Sequence, residues 1–560
     1  MILQFLCATL LAFGFFTQPD ATQSGAKTAQ LSPQQVPAAQ NLRVSGTVVD
    51  ALTGQPLSQA QVFLTAQGVR DSERFVLTGE DGRFAFENLA PGHYVLFGNH
   101  KGYVQQVYKQ HAQFSTAIIV GPDLVTDNLR FELRPTASIS GQVLDERNEP
   151  VRNAQAILFH QTIRFGRHST WREREVTTDD RGHYRFGYLM PGVYFVGVSA
   201  HPWYAQRVTH QRVQQIDSSG QTTFQEITNG EPELDVVYPV TFFTHAQDLA
   251  EAVPITLHAG ESEVADFSLQ PVPALHVLIH SGTPSESESV WAQVSQTLSN
   301  GSKMGVQTNT QQVVPGVLEI SGLPPGKLRV GLVSSKNGES NTRWNNIEIT
   351  GDMDISSSDG APSASVSGVV TFDDNVRSAS RIRLRLSSRT ENEEYPMQAD
   401  ERGEFTLKGS VPPGTYDLLV GQPATAAIRA LSATGAKVSG LTLEIGAGQD
   451  VRLSVVLSRG TGKVSGVARK DGKPIDGVMV VLVPEIPERN LELFRRDQSD
   501  SDGSFNLAAV HPGKYTLVAI ENGWELDWFT PGVIQKYLPG GKPVQVSADS
   551  TQTMDVAVQP

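Results

Sequence analysis

The sequence predicts an all-β protein, organised as a tandem array of about five antiparallel β-sandwich domains. A three-part phrase recurs along the chain: Ser-Gly, then an acidic turn ending in Gly, then Pro-Gly closely followed by an aromatic residue. Apolar and polar residues alternate between these turns, and the 560 residues include 50 Gly and 32 Pro. Alternation with period two directs one side of a segment toward a core, and Gly and Pro mark chain reversals. Short strands joined by tight turns therefore follow.

The phrase is clear in four copies, and a degenerate copy lies between the second and third of them. In that copy Ser321-Gly322-Leu323-Pro324-Pro325-Gly326 is present but the acidic turn is missing. Units on the order of 100 residues are long enough to enclose a hydrophobic core. The clear copies are Ser45-Gly46, Glu80-Asp81-Gly82 and Pro91-Gly92-His93-Tyr94; Ser140-Gly141, Asp180-Arg181-Gly182 and Pro191-Gly192-Val193-Tyr194; Ser367-Gly368, Glu401-Arg402-Gly403 and Pro413-Gly414-Thr415-Tyr416; and Ser465-Gly466, Ser501-Asp502-Gly503 and Pro512-Gly513-Lys514-Tyr515.

Strands are predicted on both sides of each acidic turn and after each Pro-Gly pair. Arg83-Phe84-Ala85-Phe86 and Thr516-Leu517-Val518-Ala519-Ile520 show the pattern, and no stretch keeps a helical period for long. The phrase copies predict sandwiches at 42–134, 135–272, 273–360, 361–458 and 459–560. The second is extended by an insertion, and the third is the degenerate unit.

The first 41 residues carry no copy of the phrase. The apolar segment from Ile2 to Phe16 is short for a membrane span and is followed by small residues, Ser24-Gly25-Ala26, so 1–26 is predicted to be a signal peptide. No Lys or Arg precedes the apolar segment, which departs from the usual signal. Residues 27–41, rich in Gln, Ala and Pro, are predicted to be a flexible leader. Cys7 is the only cysteine, so the processed chain would hold neither thiol nor disulfide.

The predicted signal peptide indicates where the protein is located, and its net charge limits the kinds of partner. We expect an exported protein of the periplasm, the outer-membrane surface or the cell exterior, with no integral membrane segment once the signal is removed. The net charge of −14 argues against a nucleic-acid partner, because acidic surfaces repel phosphate.

The repeated units resemble the carboxypeptidase regulatory-like domain, a transthyretin-like sandwich within the wider group of carbohydrate-binding-like and immunoglobulin-like folds. The resemblance rests on the phrase copies and covers nearly everything from Leu42 to Pro560. It implies a bacterial exported protein. In metallocarboxypeptidases such a sandwich is an appendage and the zinc chemistry belongs to a separate domain, so the resemblance implies no enzyme.

The search for catalytic chemistry finds one candidate, His258-Ala259-Gly260-Glu261, with the His-x-x-Glu spacing of a metallocarboxypeptidase zinc site. A further histidine would be needed well downstream. After His280 that leaves only His511, which lies in a phrase copy. We therefore interpret His258 and Glu261 as turn residues. No Gly-x-Ser-x-Gly elbow or phosphate-binding loop is present, and we expect no catalytic residue, metal or cofactor.

The acidic turns leave calcium as a second hypothesis. Asp497, Asp500 and Asp502 precede Gly503, and Asp179-Asp180 precede Gly182, so carboxylates cluster as Ca²⁺ prefers. The spacing does not fit an EF-hand loop. Asp at a hairpin corner normally accepts a hydrogen bond from its own backbone, and we favour that interpretation.

Aromatic residues are the most specific surface feature. Irregular segments follow the Pro-Gly-aromatic strand at 100–108, 201–204 and 522–529, and the second unit adds a basic, aromatic hairpin around Trp171. Flat rings on loops can stack on sugar faces, or they can cover the edge of a sandwich or a joint between units. The candidate carbohydrate-binding residues are Trp171, Trp203, Tyr204, Trp524 and Trp528.

Three functions compete on this evidence. We favour a non-enzymatic exported scaffold or interaction protein of the cell envelope, with a polysaccharide or an envelope protein as its partner. The first alternative is a carbohydrate-binding protein that uses the loop aromatics. The second is an accessory to, or remnant of, a metallocarboxypeptidase, for which His258 and Glu261 are the motive.

Overall fold

The computed structural model describes residues 42–560 except 165, 207, 217–221, 282–287, 337–338, 374–381, 392, 423–425, 459, 488–489, 491–492, 529 and 531. The predicted signal peptide, leader and Cys7 lie outside the described residues. Short strands dominate the described part, and its helical segments include single 3-10 turns at Pro232–Leu234, Ser357–Asp359, Gly523–Glu525, Ile534–Lys536 and Leu538–Gly540. None of these helices has the length and apolar character needed to cross a membrane. The predicted all-β tandem sandwich fold is confirmed.

The first sandwich pairs a sheet of order β4-β1-β8 with a sheet of order β3-β2-β5-β6, to which β7 adds beside β5. Strand β8 runs parallel to β1, whereas the other pairs are antiparallel. The strands are β1 Leu42–Asp50, β2 Gln61–Ala66, β3 Arg74–Leu77, β4 Arg83–Leu89, β5 Gly92–Asn99, β6 Gln106–Val107, β7 Ile118–Val120 and β8 Leu129–Leu133.

The second sandwich repeats this plan, with sheets of order β12-β9-β19 and β11-β10-β13-β17. Its insertion contains a separate hairpin, β14-β15. The strands are β9 Ala137–Leu144, β10 Gln155–Arg164, β11 Arg167–Thr177, β12 His183–Leu189, β13 Gly192–Ser199, β14 Thr209–Ile216, β15 Thr222–Asn229, β16 Val236–Val237, β17 Thr241–Phe242, β18 Ile255–Leu257, β19 Ser262–Val264, β20 Phe267–Ser268 and β21 Val272–Pro273.

The third and fourth sandwiches have sheets of order β25-β26-β22-β29 and β24-β23-β27-β28-β30, then β34-β31-β39-β36 and β33-β32-β35-β38-β37. The strands are β22 Leu275–His280, β23 Glu288–Thr297, β24 Lys303–Gly305, β25 Asn309–Val314, β26 Val317–Leu323, β27 Gly326–Lys336, β28 Glu339–Ile349, β29 Met353–Ser356, β30 Ala361–Pro362, β31 Ala364–Phe372, β32 Arg383–Ser388, β33 Glu394–Gln398, β34 Glu404–Val411, β35 Gly414–Gln422, β36 Ala427–Thr434, β37 Ala436–Ser439, β38 Thr442–Ile445 and β39 Asp450–Ser458.

In the fifth sandwich the last strand, β48, pairs in parallel with both β40 and β45 and so joins the two sheets. The 3-10 turns between β45 and β46 lie over the outer sheet face and bury Ile534 and Trp528 there. The strands are β40 Gly462–Lys470, β41 Lys473–Pro474, β42 Met479–Pro484, β43 Arg495–Gln498, β44 Ser504–Val510, β45 Gly513–Ile520, β46 Lys542–Val546, β47 Thr551–Thr553 and β48 Val556–Gln559.

The Ser-Gly part of the phrase lies where the first strand of a sandwich meets its parallel return strand. A Cβ on Gly46 would overlap the carbonyl oxygen of Leu129. Gly141, Gly368 and Gly466 face the carbonyl oxygens of Ala265, Leu453 and Met554 in the same way. Only glycine permits this approach of two backbones.

The Gly of each acidic turn has a left-handed backbone, with φ between 71° and 80° at Gly82, Gly182, Gly403 and Gly503. A buried hydroxyl precedes the turn in three sandwiches. Thr178 Oγ1 donates to Val151 O and accepts from Ala154 N, and Thr78 and Ser499 make the same pair of bonds. These bonds satisfy the buried backbone beside the turn.

The aromatic residue after Pro-Gly is a tyrosine in all four clear copies, and its ring folds back over the turn. The Tyr94 hydroxyl donates to Ala90 O at 2.9 Å. The equivalent bonds join Tyr194 to Met190, Tyr416 to Pro412 and Tyr515 to His511. The rings enter the cores while their hydroxyls stay hydrogen-bonded, as in the tyrosine corner of other sandwiches.

Candidate functional site

The fifth sandwich contacts the first through its acidic turn. Ser501 N donates to Ala117 O at 2.9 Å, and Ala117 N donates to the Asp500 carboxylate at 2.9 Å. Ile119 N donates to Ser501 Oγ at 2.8 Å. We call this the 1–5 contact; it comprises residues 109–119 of the first sandwich, and residues 476, 496–501 and 524 of the fifth.

Gln498 lies at the centre of the 1–5 contact and is 1% exposed. Its Nε2 donates to Lys109 O at 2.6 Å and to Thr116 Oγ1 at 2.8 Å. Its Oε1 lies 3.0 Å from His111 Nδ1. The side-chain amide is thus bonded at both ends, which a buried amide requires.

Aromatic rings cover one side of the 1–5 contact. Trp524 stacks on His111 with centroids 5.1 Å apart and planes 5° apart, and its Nε1 donates to Gly477 O at 3.1 Å. Phe114 lies 5.3 Å from the Trp524 ring. The Arg496 guanidinium lies 5.1 Å above Phe114, and burial lowers the pKa of Arg496 to about 10.

Trp528 lies in the connection between β45 and β46, and its ring is packed against the outer face of the sheet that contains β42 and β45. It is 3% exposed and lies 4.7 Å from Phe494, with the Arg496 guanidinium 4.9 Å above its ring. A Cβ at Gly166, in the β10–β11 turn of the second sandwich, would overlap the indole. Trp528 therefore lies at a joint, where its ring is covered and a sugar cannot stack on it.

Burial sets the electrostatics of the 1–5 contact. The Asp500 side chain is 16% exposed, and its desolvation raises the pKa to about 7. Burial also raises the pKa of Asp497. His93 Nδ1 lies 3.5 Å from Asp500, and Lys109 Nζ lies 2.6 Å from Asp476.

The carboxylates of the acidic turns accept hydrogen bonds from backbone N–H groups. Asp497 accepts from Gln498 N and Asn506 N, and Asp502 accepts from Ser504 N. Asp179 accepts from Arg181 N and His183 N. Within the described ranges, no group of three or more His, Cys, Asp and Glu is placed to hold a metal ion.

The other predicted aromatic residues lie in the second sandwich. Trp203 is 77% exposed, and its ring stands perpendicular to Tyr204 at 5.9 Å. The Tyr204 hydroxyl donates to Glu146 Oε1 at 2.7 Å. Trp171 is half-buried on β11, and its Nε1 donates to Ser169 Oγ. The five residues thus lie in separate places: Trp203 with Tyr204, Trp171 on its hairpin, Trp524 in the 1–5 contact, and Trp528 on the outer sheet face of the fifth sandwich.

His258 and Glu261 form a short turn before β19. Glu261 Oε2 accepts from His258 N at 2.7 Å and lies 2.9 Å from His258 Nδ1. The His258 side chain is 78% exposed. The carboxylate closes the turn through the backbone, which explains this spacing without a metal.

The model of the carboxypeptidase regulatory-like domain family matches residues 43–126 and 138–225. Two tandem regions of the chain are thus similar to carboxypeptidase regulatory-like domains. These matches fall on the first two sandwiches. The Ser-Gly close approach and the tyrosine bond of these regulatory-like domains recur in the fourth and fifth sandwiches.

No curated protein matches the sequence. Among solved structures, GBS52, the minor pilin of Streptococcus agalactiae, is 12% identical with a TM-score of 0.21, covering 44% of this chain and 99% of its own. The Bacillus anthracis TIE protein is 10% identical with a TM-score of 0.15, covering 94% of this chain and 75% of its own. Shaft pilin SpaA from Lactobacillus rhamnosus GG is 10% identical with a TM-score of 0.19, covering 41% of this chain and 98% of its own. Likenesses at this level carry no functional argument.

Proposed function

We propose that this protein is a non-enzymatic scaffold exported to the cell envelope, in which buried contacts hold the sandwiches in one arrangement. The 1–5 contact carries the proposal. Ala117 and Asp500 are separated by 383 positions, and a flexible string of domains would not need a buried, fully bonded Gln498 between its first and last members. Buried polar networks of this kind favour one specific geometry.

The joint between the second and third sandwiches is also buried. Leu298 and Met304 of the third sandwich pack with Phe159 and Phe242 of the second. Nearby, the His276 ring lies 2.7 Å from Asp235 and 2.9 Å from Glu319, and all three side chains are almost fully buried. Burial alone would lower the pKa of His276, but the bonds to Glu319 and Asp235 outweigh it and raise the pKa to about 9.

Partly buried ion pairs connect the third and fourth sandwiches. Both Glu391 oxygens lie within 2.7 Å of Arg329 Nη1, and Lys303 Nζ is 3.1 Å from the same carboxylate. The guanidinium lies 4.5 Å above the Trp344 ring. Burial would raise the pKa of Glu391, but the Arg329 and Lys303 charges lower it. A charge cluster this enclosed is costly to separate.

Three observations support a scaffold role over the two alternatives. The matched domains are regulatory-like, not catalytic, and the aromatic residues Trp524 and Trp528 are used in packing. The His258–Glu261 pair is an exposed turn. If the peptidase alternative holds, protein purified without chelators contains stoichiometric zinc; we expect substoichiometric zinc.

Cell fractionation tests the export part. The chain with residues 1–41 and a C-terminal tag, expressed in its native host, should be recovered in the periplasm, the outer-membrane fraction or the medium. Recovery in the cytoplasm contradicts export.

Small-angle X-ray scattering tests the fixed arrangement. We expect the double variant Gln498→Ala/Trp524→Ala to have a larger radius of gyration than the parent, because it removes the centre of the 1–5 contact. Trp203→Ala, an exposed aromatic elsewhere, is the matched control and should leave the radius unchanged. Equal radii for all three proteins would contradict the proposal.

A further inference from the structure

A polar cleft of about 640 Å³ lies at the junction of the first and second sandwiches. This volume is within the range of ligand sites. The first sandwich forms most of the cleft, and the second closes it with two residues. Those two residues are Thr136 and Tyr188.

Side-chain amides dominate the wall of the cleft. Gln61 and Asn99 lie opposite each other on β2 and β5, and both are exposed. Gln59 and Gln105 add two further exposed amides. Among the described residues, none of these four side chains has a hydrogen-bond partner in the protein. An amide offers a donor and an acceptor side by side, as neighbouring sugar hydroxyls require.

Tyr188 is the strongest indication of a ligand. Its φ is 59°, a left-handed conformation that is unfavourable for a bulky residue. At the same position of the phrase, before Pro-Gly, the first and fifth sandwiches have Asn88 and Ala509, with φ of 56° and 51°. The Tyr188 side chain is 77% exposed, so core packing does not explain a tyrosine there. The left-handed position itself belongs to the repeat, so the signal is the exposed tyrosine, whose ring lines the cleft.

His100 and Tyr103 form one wall of the cleft. The His100 ring packs edge-on against Tyr103 at 5.0 Å, and its Nδ1 is buried without a hydrogen-bond partner among the described protein atoms. Tyr103 is fixed behind it, because its hydroxyl donates to Asp50 Oδ2 at 2.7 Å. This bond fixes the position of the wall that His100 and Tyr103 form beside the amides.

Uncharged polar side chains outnumber charged ones in the lining. Among the described residues that line the cleft, Lys101 is the one with a permanent charge, and none is a carboxylate. We propose that this junction cleft binds a segment of a neutral glycan, with Tyr188 stacking on a sugar face and the amides of Gln59, Gln61, Asn99 and Gln105 bonding its hydroxyls. This site differs from the loop tryptophans that the sequence indicated. It does not depend on the scaffold role or on the 1–5 contact.

Affinity electrophoresis of the full chain tests the site. The gels contain a neutral glucan, mannan or xylan, or an acidic alginate or polygalacturonate. We expect at least one neutral polysaccharide to retard the protein. Tyr188→Asn and the double variant Gln61→Ala/Asn99→Ala should each weaken binding about tenfold or more. Asn stands at the matching position of the first sandwich, so Tyr188→Asn should retain the fold, which an unchanged melting temperature verifies.

Trp203→Ala is the control and should bind as the parent does. Three results would overturn the proposal: no retardation by any neutral polysaccharide, full binding by Tyr188→Asn, or loss of binding in Trp203→Ala alone. Capture of an uncharged peptide from a peptide array, lost in Tyr188→Asn while no glycan binds, would instead identify a peptide cleft.

Discussion

The Asp500 carboxylate accepts a hydrogen bond from Ala117 N at 2.9 Å, across the contact between the fifth and first sandwiches. In the second and fourth sandwiches the corresponding residues, Asp179 and Asp400, accept from the backbone of their own turn. The same position of the repeat thus closes a local turn in two sandwiches and bonds a distant strand in the fifth. A repeat can acquire an interface by redirecting one side chain.

The buried Asp500 predicts a pH dependence. Its pKa is raised from 3.8 to about 7 in the folded protein, so its contribution to stability is complete below about pH 4 and is lost as the pH rises through 7. A shift of that size corresponds to at most about 4 kcal/mol. Urea unfolding at pH 5 and pH 8 should show the parent losing more stability than Asp500→Asn, whose oxygen still accepts from Ala117. Equal losses would contradict this assignment.

Gln498 allows a matched comparison between sandwiches. Gln498→Ala removes a buried amide and leaves its partners unsatisfied, so we expect the free energy of unfolding to fall by about 3 kcal/mol. Gln398 occupies the same position in the fourth sandwich and is exposed. Gln398→Ala should change stability by less than about 0.5 kcal/mol. Chemical denaturation measures the free energy of unfolding of both variants. Similar losses in the two variants would mean that the 1–5 contact contributes nothing to stability.

The Ser-Gly close approach predicts intolerance of any side chain. Gly46→Ala drives a Cβ into the Leu129 carbonyl, and we expect a loss of about 3 kcal/mol or more. Gly305, on β24, serves as the control, because among the described residues no heavy atom lies within 4 Å of the place that an alanine methyl would take. Melting temperatures should fall for the first variant only. A stable Gly46→Ala protein would show that β1 and β8 can separate.

His276 predicts a second pH effect. Here the group that holds its proton in the folded protein is a positively charged imidazole and not a carboxylic acid. Because its pKa is raised to about 9, the stability it provides is complete below about pH 6.5 and is lost as the pH rises through 9. His276→Gln leaves Glu319 buried with a weaker partner and should cost about 3 kcal/mol at pH 7. His280 lies on the same strand, half-exposed beside Asp354, and His280→Gln should be nearly neutral. Thermal unfolding at pH 7 and pH 9.5 measures the stability of both variants. If His276→Gln is as stable as the parent at pH 7, His276 is not charged in the folded protein.

The phrase allowed much of the fold to be predicted. Asp-Gly and Pro-Gly located the hairpins, and the alternation located the strands. A further signal was missed: Thr78, Thr178 and Ser499 stand at one position of the repeat, so comparison of the copies could have identified the buried hydroxyl. Within the candidate sites, the sequence singled out Trp524 for its ring, but the ring lies against His111, and neither Gln498 nor Tyr188 stood out.

The sequence by itself determined what depends on neighbouring residues: the sandwich class, the turns and the strand faces. These follow from backbone and side-chain preferences that act within a hairpin. Only the tertiary structure decided that Asp500 meets Ala117, that Trp528 is buried, and that Tyr188, Gln61 and His100 share one cleft. Such contacts join residues far apart in the chain, and they depend on how whole sandwich surfaces pack, which no local pattern encodes.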